Sequence, residues 1–395
     1  MKYNQWTLGL AAVGAISLAS VTQAEEAQHA VMTALQSTTI SGYVDTSAIW
    51  MPGPSVKQDD NIPGRSFTNA DKMNGVNLNV VSLTIEKPLD EGQWSAGYKA
   101  SVWLGPDANT LASQSVLADG AGDFAIRNAY VALRAPVGNG LDVKMGVFDT
   151  VVGYEVADGP YNPNYTRSLG FYLEPITHTG ALFSYQFTEW LSAQAGMAES
   201  ALPTINLRSG VRGVKTYMGS IALTAPESMG ALEGATLYGG ILDFGVDQMN
   251  NIGTDNNPHY LTSQDVVSFY AGVTVPLPLE GWAVGAAYDY RANALFDGSY
   301  ENAVGGYVSW QATDKLRFNV RGEYATGSNG SIYNVGGMLV SYDGAYGVPY
   351  AGSDNVKLVE ATATVDYRLW ANAITRLEFR WDHSASGQKI YTDNT

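Results

Sequence analysis

The stretch Leu358–Asp382, LVEATATVDYRLWANAITRLEFRWD, decides the fold. In its first half Val359, Ala361, Ala363, Val365, Tyr367 and Leu369 alternate with Glu360, Thr362, Thr364, Asp366 and Arg368. In its second half Thr375, Leu377, Phe379 and Trp381 alternate with Arg376, Glu378, Arg380 and Asp382. Successive side chains of a strand point to opposite faces, so this period of two describes a sheet between two unlike environments. One environment is apolar and the other accepts full charges. Little more than Trp370 separates the two halves, which makes them antiparallel neighbours joined by a tight turn.

The same pattern recurs outward from this hairpin. Leu316, Phe318, Val320, Gly322 and Tyr324 alternate with Arg317, Asn319, Arg321 and Glu323. Leu141, Val143, Met145 and Val147 alternate with Asp142, Lys144, Gly146 and Phe148. Trp94, Ala96, Tyr98, Ala100, Val102 and Leu104 stand against Ser95, Gly97, Lys99, Ser101 and Trp103. Segments 76–87 and 235–244 are apolar on both sides and assign no face. The chain offers fifteen strand candidates: 39–50, 76–87, 94–104, 124–135, 141–149, 177–187, 190–199, 214–225, 234–245, 264–275, 282–291, 301–311, 315–325, 356–369 and 371–382. Most have the length that crosses a bilayer at a tilt, roughly 9–11 residues.

The connections alternate. Short turns follow the even candidates, and longer loops follow the odd ones: 51–75, 105–123, 150–176, 200–213, 246–263, 292–300 and 326–355. An outer-membrane barrel keeps short turns on its periplasmic rim and long loops outside; a sandwich or propeller has no reason to. Tryptophan agrees. Trp94, Trp190, Trp282, Trp310 and Trp370 fall at short turns, and Trp50, Trp103 and Trp381 at loop ends. Amphipathic rings collect at the two interfaces of a membrane. The expected fold is an all-β transmembrane antiparallel barrel. A bacterial barrel has an even strand count, and the end of the chain, SASGQKIYTDNT, reads as one more loop. The expectation is therefore sixteen strands when complete, with a closing strand missing from residues 39–395. A strand at Val335–Ser341 would restore an even count but break the alternation.

Composition narrows the function. Charged residues make up 15% of 395 residues, Cys is absent, and the formal net charge is −16. The charge argues against nucleic acid, which needs a basic face. Met1–Ala24 reads as a secretory signal, with Lys2, an apolar run at Leu8–Val21 and small residues before Glu25. The rival, a membrane anchor, needs a longer apolar run. Residues 25–38 are a polar leader without assignable chemistry.

The sequence resembles bacterial porins, and more specifically the putative β-barrel porin-2 (OmpL-like) family. The residues that carry the resemblance are Arg127–Val131 (RNAYV), Lys144–Asp149 (KMGVFD), Asn162–Arg167 (NPNYTR) and Pro175–Gly180 (PITHTG). The resemblance spans nearly the whole mature chain. It implies a porin in the outer membrane of a Gram-negative bacterium, in contact with outer-membrane lipid and passing small hydrophilic solutes or ions. Porin trimers are common, so a homotrimer is among the assemblies it implies, although no stretch marks a subunit interface.

A porin acts through the width and charge of its lumen. Charges inside hydrocarbon are costly, so strand charges are expected to face inward. The expected pore-lining residues are Lys99, Asp142, Lys144, Asp289, Arg291, Arg317, Arg321, Glu323, Asp366, Arg368, Arg376 and Arg380, with Asp45, Glu360 and Glu378 beside them. An internal charge network that only stiffens the wall is the alternative for each. Arg127 shares the parity of Ala129, Val131 and Leu133, which suggests headgroup level. Net charge points to cation preference, but the lumen set is nearly balanced in sign.

The third long loop, within 149–180, DTVVGYEVADGPYNPNYTRSLGFYLEPITHTG, is the candidate constriction. Asp149, Glu155, Asp158, Arg167 and Glu174 are its candidate residues. Carboxylates there, opposite wall arginines, would set a field across the passage; a loop that stays outside is the alternative. For Arg167 a structural tie to the barrel is equally expected. No catalytic, cofactor or metal site is expected: the chain lacks the phosphate-loop, HExxH and GxSxG motifs. His178 and Ser184 are six residues apart on one strand, too far for a dyad. The rival functions are a plugged barrel serving as envelope scaffold or interaction protein, and an outer-membrane enzyme.

Overall fold

The computed structural model describes residues 37–51, 72, 74–115, 123–208, 213–246, 265–293, 298–328 and 355–386. Fifteen strands form one antiparallel sheet in chain order. They are β1 (Thr39–Ile49), β2 (Gly75–Lys87), β3 (Ser95–Leu104), β4 (Phe124–Ala135), β5 (Leu141–Asp149), β6 (Thr177–Thr188), β7 (Leu191–Ala198) and β8 (Thr216–Thr224). There follow β9 (Thr236–Val246), β10 (Asp265–Pro276), β11 (Trp282–Ala292), β12 (Tyr300–Gln311), β13 (Leu316–Gly327), β14 (Val356–Trp370) and β15 (Ala373–Ser384). Each expected strand is present to within two residues at either end. Among the described residues β1 and β15 are the sheet edges and do not pair with each other. Val335–Ser341, residues 387–395 and the signal segment lie outside the described residues.

The sheet is inside out relative to a water-soluble protein. On β13, Val320 is 51% exposed while its neighbour Arg321 is 0% exposed. Leu133, Met145, Ile221, Phe269, Val304 and Val308 are likewise exposed, and Asp289, Glu301, Glu323, Glu360 and Asp366 are buried. A water-soluble sheet buries its Leu and exposes its Glu. The reversal fits a barrel whose outer face meets lipid. The substitution Val320→Arg should therefore cost about 2–4 kcal/mol if this face lies near the midplane. Urea unfolding from lipid vesicles measures it, and an unchanged midpoint would place Val320 in water.

The rim of short turns carries a stacked ring ladder. Trp282 pairs with Trp310, and Trp310 with Phe318, across β11–β13. Their centroids are 5.3 and 5.6 Å apart. One turn departs from the length rule: residues 225–235, with a 3-10 segment at Glu227–Leu232, outrun the loop 293–299.

Two expectations about faces are corrected. Trp103 does not sit in the interfacial girdle. It is fully buried, its indole N–H donates to Ser82 Oγ at 3.1 Å, and Arg127 lies 5.4 Å above its ring. Arg127 is not at headgroup level either. Ser101 pairs with Asn128 and Val102 with Ile126, so Arg127 is the extra residue of a β-bulge. The bulge turns Arg127 and Asn128 both inward, and each is 2% exposed.

The inside of the sheet is filled on the loop side. Phe148, Val151, Val152, Leu182, Met218, Leu242 and Tyr270 form one buried cluster. Val80, Trp103, Leu111, Ala157 and Phe171 form a second, and Leu169, Tyr172, Leu173, Ala325 and Leu358 a third. Each joins wall residues to the segment 150–176. The second also receives α1 (Pro106–Leu111), a short helix in a stretch read only as loop.

Candidate functional site

Segment 150–176 leaves β5 and lies against the inner face of the sheet. Among the described residues it makes hydrogen bonds or ring stacking with eleven of the fifteen strands: β1, β2, β4, β6 and β9–β15. At its start the Tyr238 hydroxyl of β9 donates to the Val151 carbonyl at 2.6 Å. Val152 occupies the space a side chain would need at Gly240. Tyr154 does the same at Gly285 of β11 and stacks on Tyr307 of β12, centroids 4.0 Å apart. Thr274 of β10 donates to its hydroxyl at 3.3 Å. Two wall glycines are thus notches for loop side chains.

The middle of the segment is held by charge. Arg321, the sixth residue of β13, donates to Glu155 at 2.7 Å and to the Thr166 carbonyl at 2.8 Å. It also reaches Glu360 at 3.2 Å and Glu323 at 3.3 Å. Glu323 accepts the Leu169 N–H at 2.7 Å and the Gly170 N–H at 3.3 Å. Glu378 of β15 accepts the N–H groups of Tyr165 and Thr166 at 2.6 and 3.0 Å. Arg376 donates to the carbonyls of Gly159 and Asn162 at 2.8 and 2.9 Å. Arg380 donates to the Arg167 carbonyl at 2.5 Å and pairs with Asp382 at 2.7 Å. Asn164 donates to Thr364 of β14 at 2.7 Å.

The far side of the segment reaches β1, β2 and β4. Arg127 pairs with Asp149 and, at 3.2 Å, with Asp158. Tyr43 donates to Asp158 at 3.1 Å, and Asn79 to the Tyr165 hydroxyl at 2.7 Å. Backbone N–H and C=O groups removed from water need partners. A loop without regular structure can occupy this interior because wall carboxylates and guanidinia supply them.

These contacts redistribute the expected roles. Glu155, Glu323, Arg321, Arg376 and Arg380 are committed to one network that ties loop to wall. Arg167 is internal to the loop: it donates to the carbonyls of Tyr165 and Ala157 and lies over Phe171 at 5.8 Å. Arg291 pairs with Glu301 and donates to the Leu173 carbonyl at 3.3 Å. Asp366 pairs with Arg376 at 2.9 Å, beside Arg317 in register. Arg368 sits next to a register shift near the β14–β15 turn. Asp142 is bidentate with Arg134, at 2.6 and 2.7 Å. Lys144 lies 5.2 Å from the Tyr130 ring centre, and Lys99 pairs with Tyr130 across the sheet. Of the loop carboxylates, Glu155 touches Arg321, and Asp149 and Asp158 touch Arg127, whereas Glu174 faces the Asp289 carboxyl. Arg127, Tyr43, Glu301 and the backbone-binding role of Glu378 were not anticipated. The consecutive polar pair Arg127-Asn128 in an alternating strand is the one signal of the bulge. His178 is buried and within 3.3 Å of the Thr150 hydroxyl.

Glu174 closes the seam between loop and β11. Its carboxyl fills the space beside Gly153 and is hydrogen-bonded to the Asp289 carboxyl. Burial, then the Asp289 charge, hold Glu174 well above the ordinary carboxylate range. The folded protein keeps this proton where an unfolded chain has lost it. The stabilisation is complete below the ordinary value of 4.5 and is lost as pH rises through the raised value. Thermal midpoints measured upward from about pH 4 should fall accordingly, and Glu174→Gln should flatten that decline. Parallel declines in the two proteins would show that the carboxyl is not the cause.

An inside-out antiparallel sheet, aromatic at its rim, with a polar lumen and an inward loop defines an outer-membrane porin-type barrel. The chain belongs to the putative beta-barrel porin-2, OmpL-like family, whose model matches residues 37–395. It is an outer-membrane protein. Among solved structures, a loop L8 deletion mutant of OmpT, an outer membrane protein of Vibrio cholerae, is similar at 13% identity. The likeness covers 89% of this chain and 95% of that one, with a TM-score of 0.51. Salmonella typhi OmpF, in complex with daunomycin, is similar at 12% identity over 87% of this chain and 88% of its own, TM-score 0.51. Likenesses at such low identity speak for the fold. No curated protein matches significantly.

Proposed function

We propose that this outer-membrane channel passes small hydrophilic solutes by passive diffusion, and that segment 150–176 sets its width. One observation carries the reading: the segment bonds to Arg321 at the middle of β13 and to Arg127 on β4, so it spans the interior within the membrane-crossing part of the wall. A loop in that position narrows whatever passage remains. The polar inner face supplies water-compatible walls, and the apolar outer face keeps the lipid out.

A plugged barrel acting as a scaffold or interaction protein is the second reading. The three buried clusters under the loop favour it, because they leave little free cross-section at that level. Swelling of liposomes containing the protein, in neutral sugars of increasing size, separates the two. The channel reading expects uptake of the smallest sugars with a sharp size limit. Swelling equal to that of protein-free vesicles for every sugar supports the plug.

A further inference from the structure

The charges that hold the loop are buried and already partnered, so they are poor candidates for selecting a solute. The charges left facing the passage lie between the loop and the short turns. There, among the described residues, five cationic side chains (Lys99, Arg134, Lys144, Arg317 and Arg368) share the inner wall with the carboxylates Glu86, Asp142 and Asp366. Two of those carboxylates are spoken for, Asp142 by Arg134 and Asp366 by Arg376.

Lys99 and Lys144 stand apart. Neither forms an ion pair among the described residues. Both are half-buried. Lys144 is the fourth residue of β5 and Lys99 the fifth of β3, so they lie roughly 10 and 13 Å into the wall at ~3.3 Å per residue. The charged groups around Lys144 are Asp149, Lys99, Glu86 and Asp142. Asp149 is held by Arg127 and Asn128, and Asp142 by Arg134. Among the charged groups named here, that leaves Glu86, directly across from Lys99, to offset two ammonium groups. On the loop side the sign reverses, since Asp149 and Asp158 share the single Arg127. The turns themselves are acidic, with Asp90, Glu91, Glu189, Glu280 and Asp314. They lie in bulk solvent, where screening acts within about 8–10 Å.

We infer that Lys99 and Lys144 are the specificity-determining residues of the channel and that they bias it toward small anions and carboxylate-bearing solutes. Fixed charge in a confined, low-dielectric lumen concentrates the opposite ion, whatever the net charge of the whole protein. The inference rests on the channel reading above.

Reversal potentials in a KCl gradient across a planar bilayer test it. The wild type should pass chloride in preference to potassium. The double variant K99Q/K144Q should lower the chloride-to-potassium permeability ratio by about twofold or more, while K99R/K144R should keep the wild-type ratio. Heat-modifiable migration on gels shows whether each variant has folded. Channels whose ratio does not change between wild type and K99Q/K144Q overturn the assignment of the two lysines. A wild type that prefers potassium overturns the anion bias. If no channels appear with folded wild type, the diffusion reading itself fails and takes this inference with it.

Discussion

Deleting Glu155–Gly170 is expected to raise single-channel conductance several-fold. The deleted residues contribute the Glu155 carboxylate on Arg321, the carbonyls on Arg376 and Arg380, and the N–H groups on Glu323 and Glu378. They also contribute Leu169 and Phe171's neighbours to two buried clusters. Removing them opens the interior from β13–β15 across to β1 and β4, and leaves the wall arginines and carboxylates to pair with one another. Arg321 keeps Glu360 and Glu323 on its own sheet face, so the wall should persist. Planar-bilayer recordings of the two proteins at one salt concentration measure the effect. Equal conductance would mean that the segment does not limit the flow.

The largest effect of a point substitution is expected at Arg321. Its side chain is fully buried and faces Glu155, Glu323 and Glu360 at 2.7, 3.3 and 3.2 Å. Arg321→Ala removes the cation and strands three carboxylates away from water. Breaking a buried ion pair by deleting one partner costs about 3–5 kcal/mol. Arg380, 3.8 Å from Glu360, offsets only part of that loss. The variant should unfold at markedly lower urea and should show larger current fluctuations, because the guanidinium also binds the carbonyls of Thr166 and Arg167. Arg321→Lys keeps the charge but cannot reach all these acceptors at once, so its stability should fall between the two. A wild-type urea midpoint for Arg321→Ala would show that the network contributes nothing to holding the loop.

The wall was legible in the sequence because one physical constraint writes it. Lipid outside and water inside force alternation, and Val320 beside Arg321 or Ala361 beside Glu360 state it residue by residue. Where the constraint lapses the reading lapses with it. The bulge at Arg127 adds a residue without changing composition, so parity placed that side chain on the wrong face. Trp103 looked like a girdle residue because strand-end position alone cannot tell an interfacial ring from one turned inward under an arginine. The position of segment 150–176 in the chain pointed to a constriction, but its anchors did not. Contacts such as Asn164–Thr364 and Tyr165–Glu378 join residues about two hundred apart, and no local pattern encodes them. Alternation gives the lumen arginines an inward face, yet whether a guanidinium meets solute or a loop carbonyl depends on where the loop lies.

The proposed function requires a water-filled path through the outer membrane that segment 150–176 narrows but does not seal. Single-channel recording of the refolded protein in a planar bilayer tests it most directly. Stable ohmic current steps of small, uniform amplitude are the expected result. A correctly folded barrel that inserts and gives no steps would contradict it.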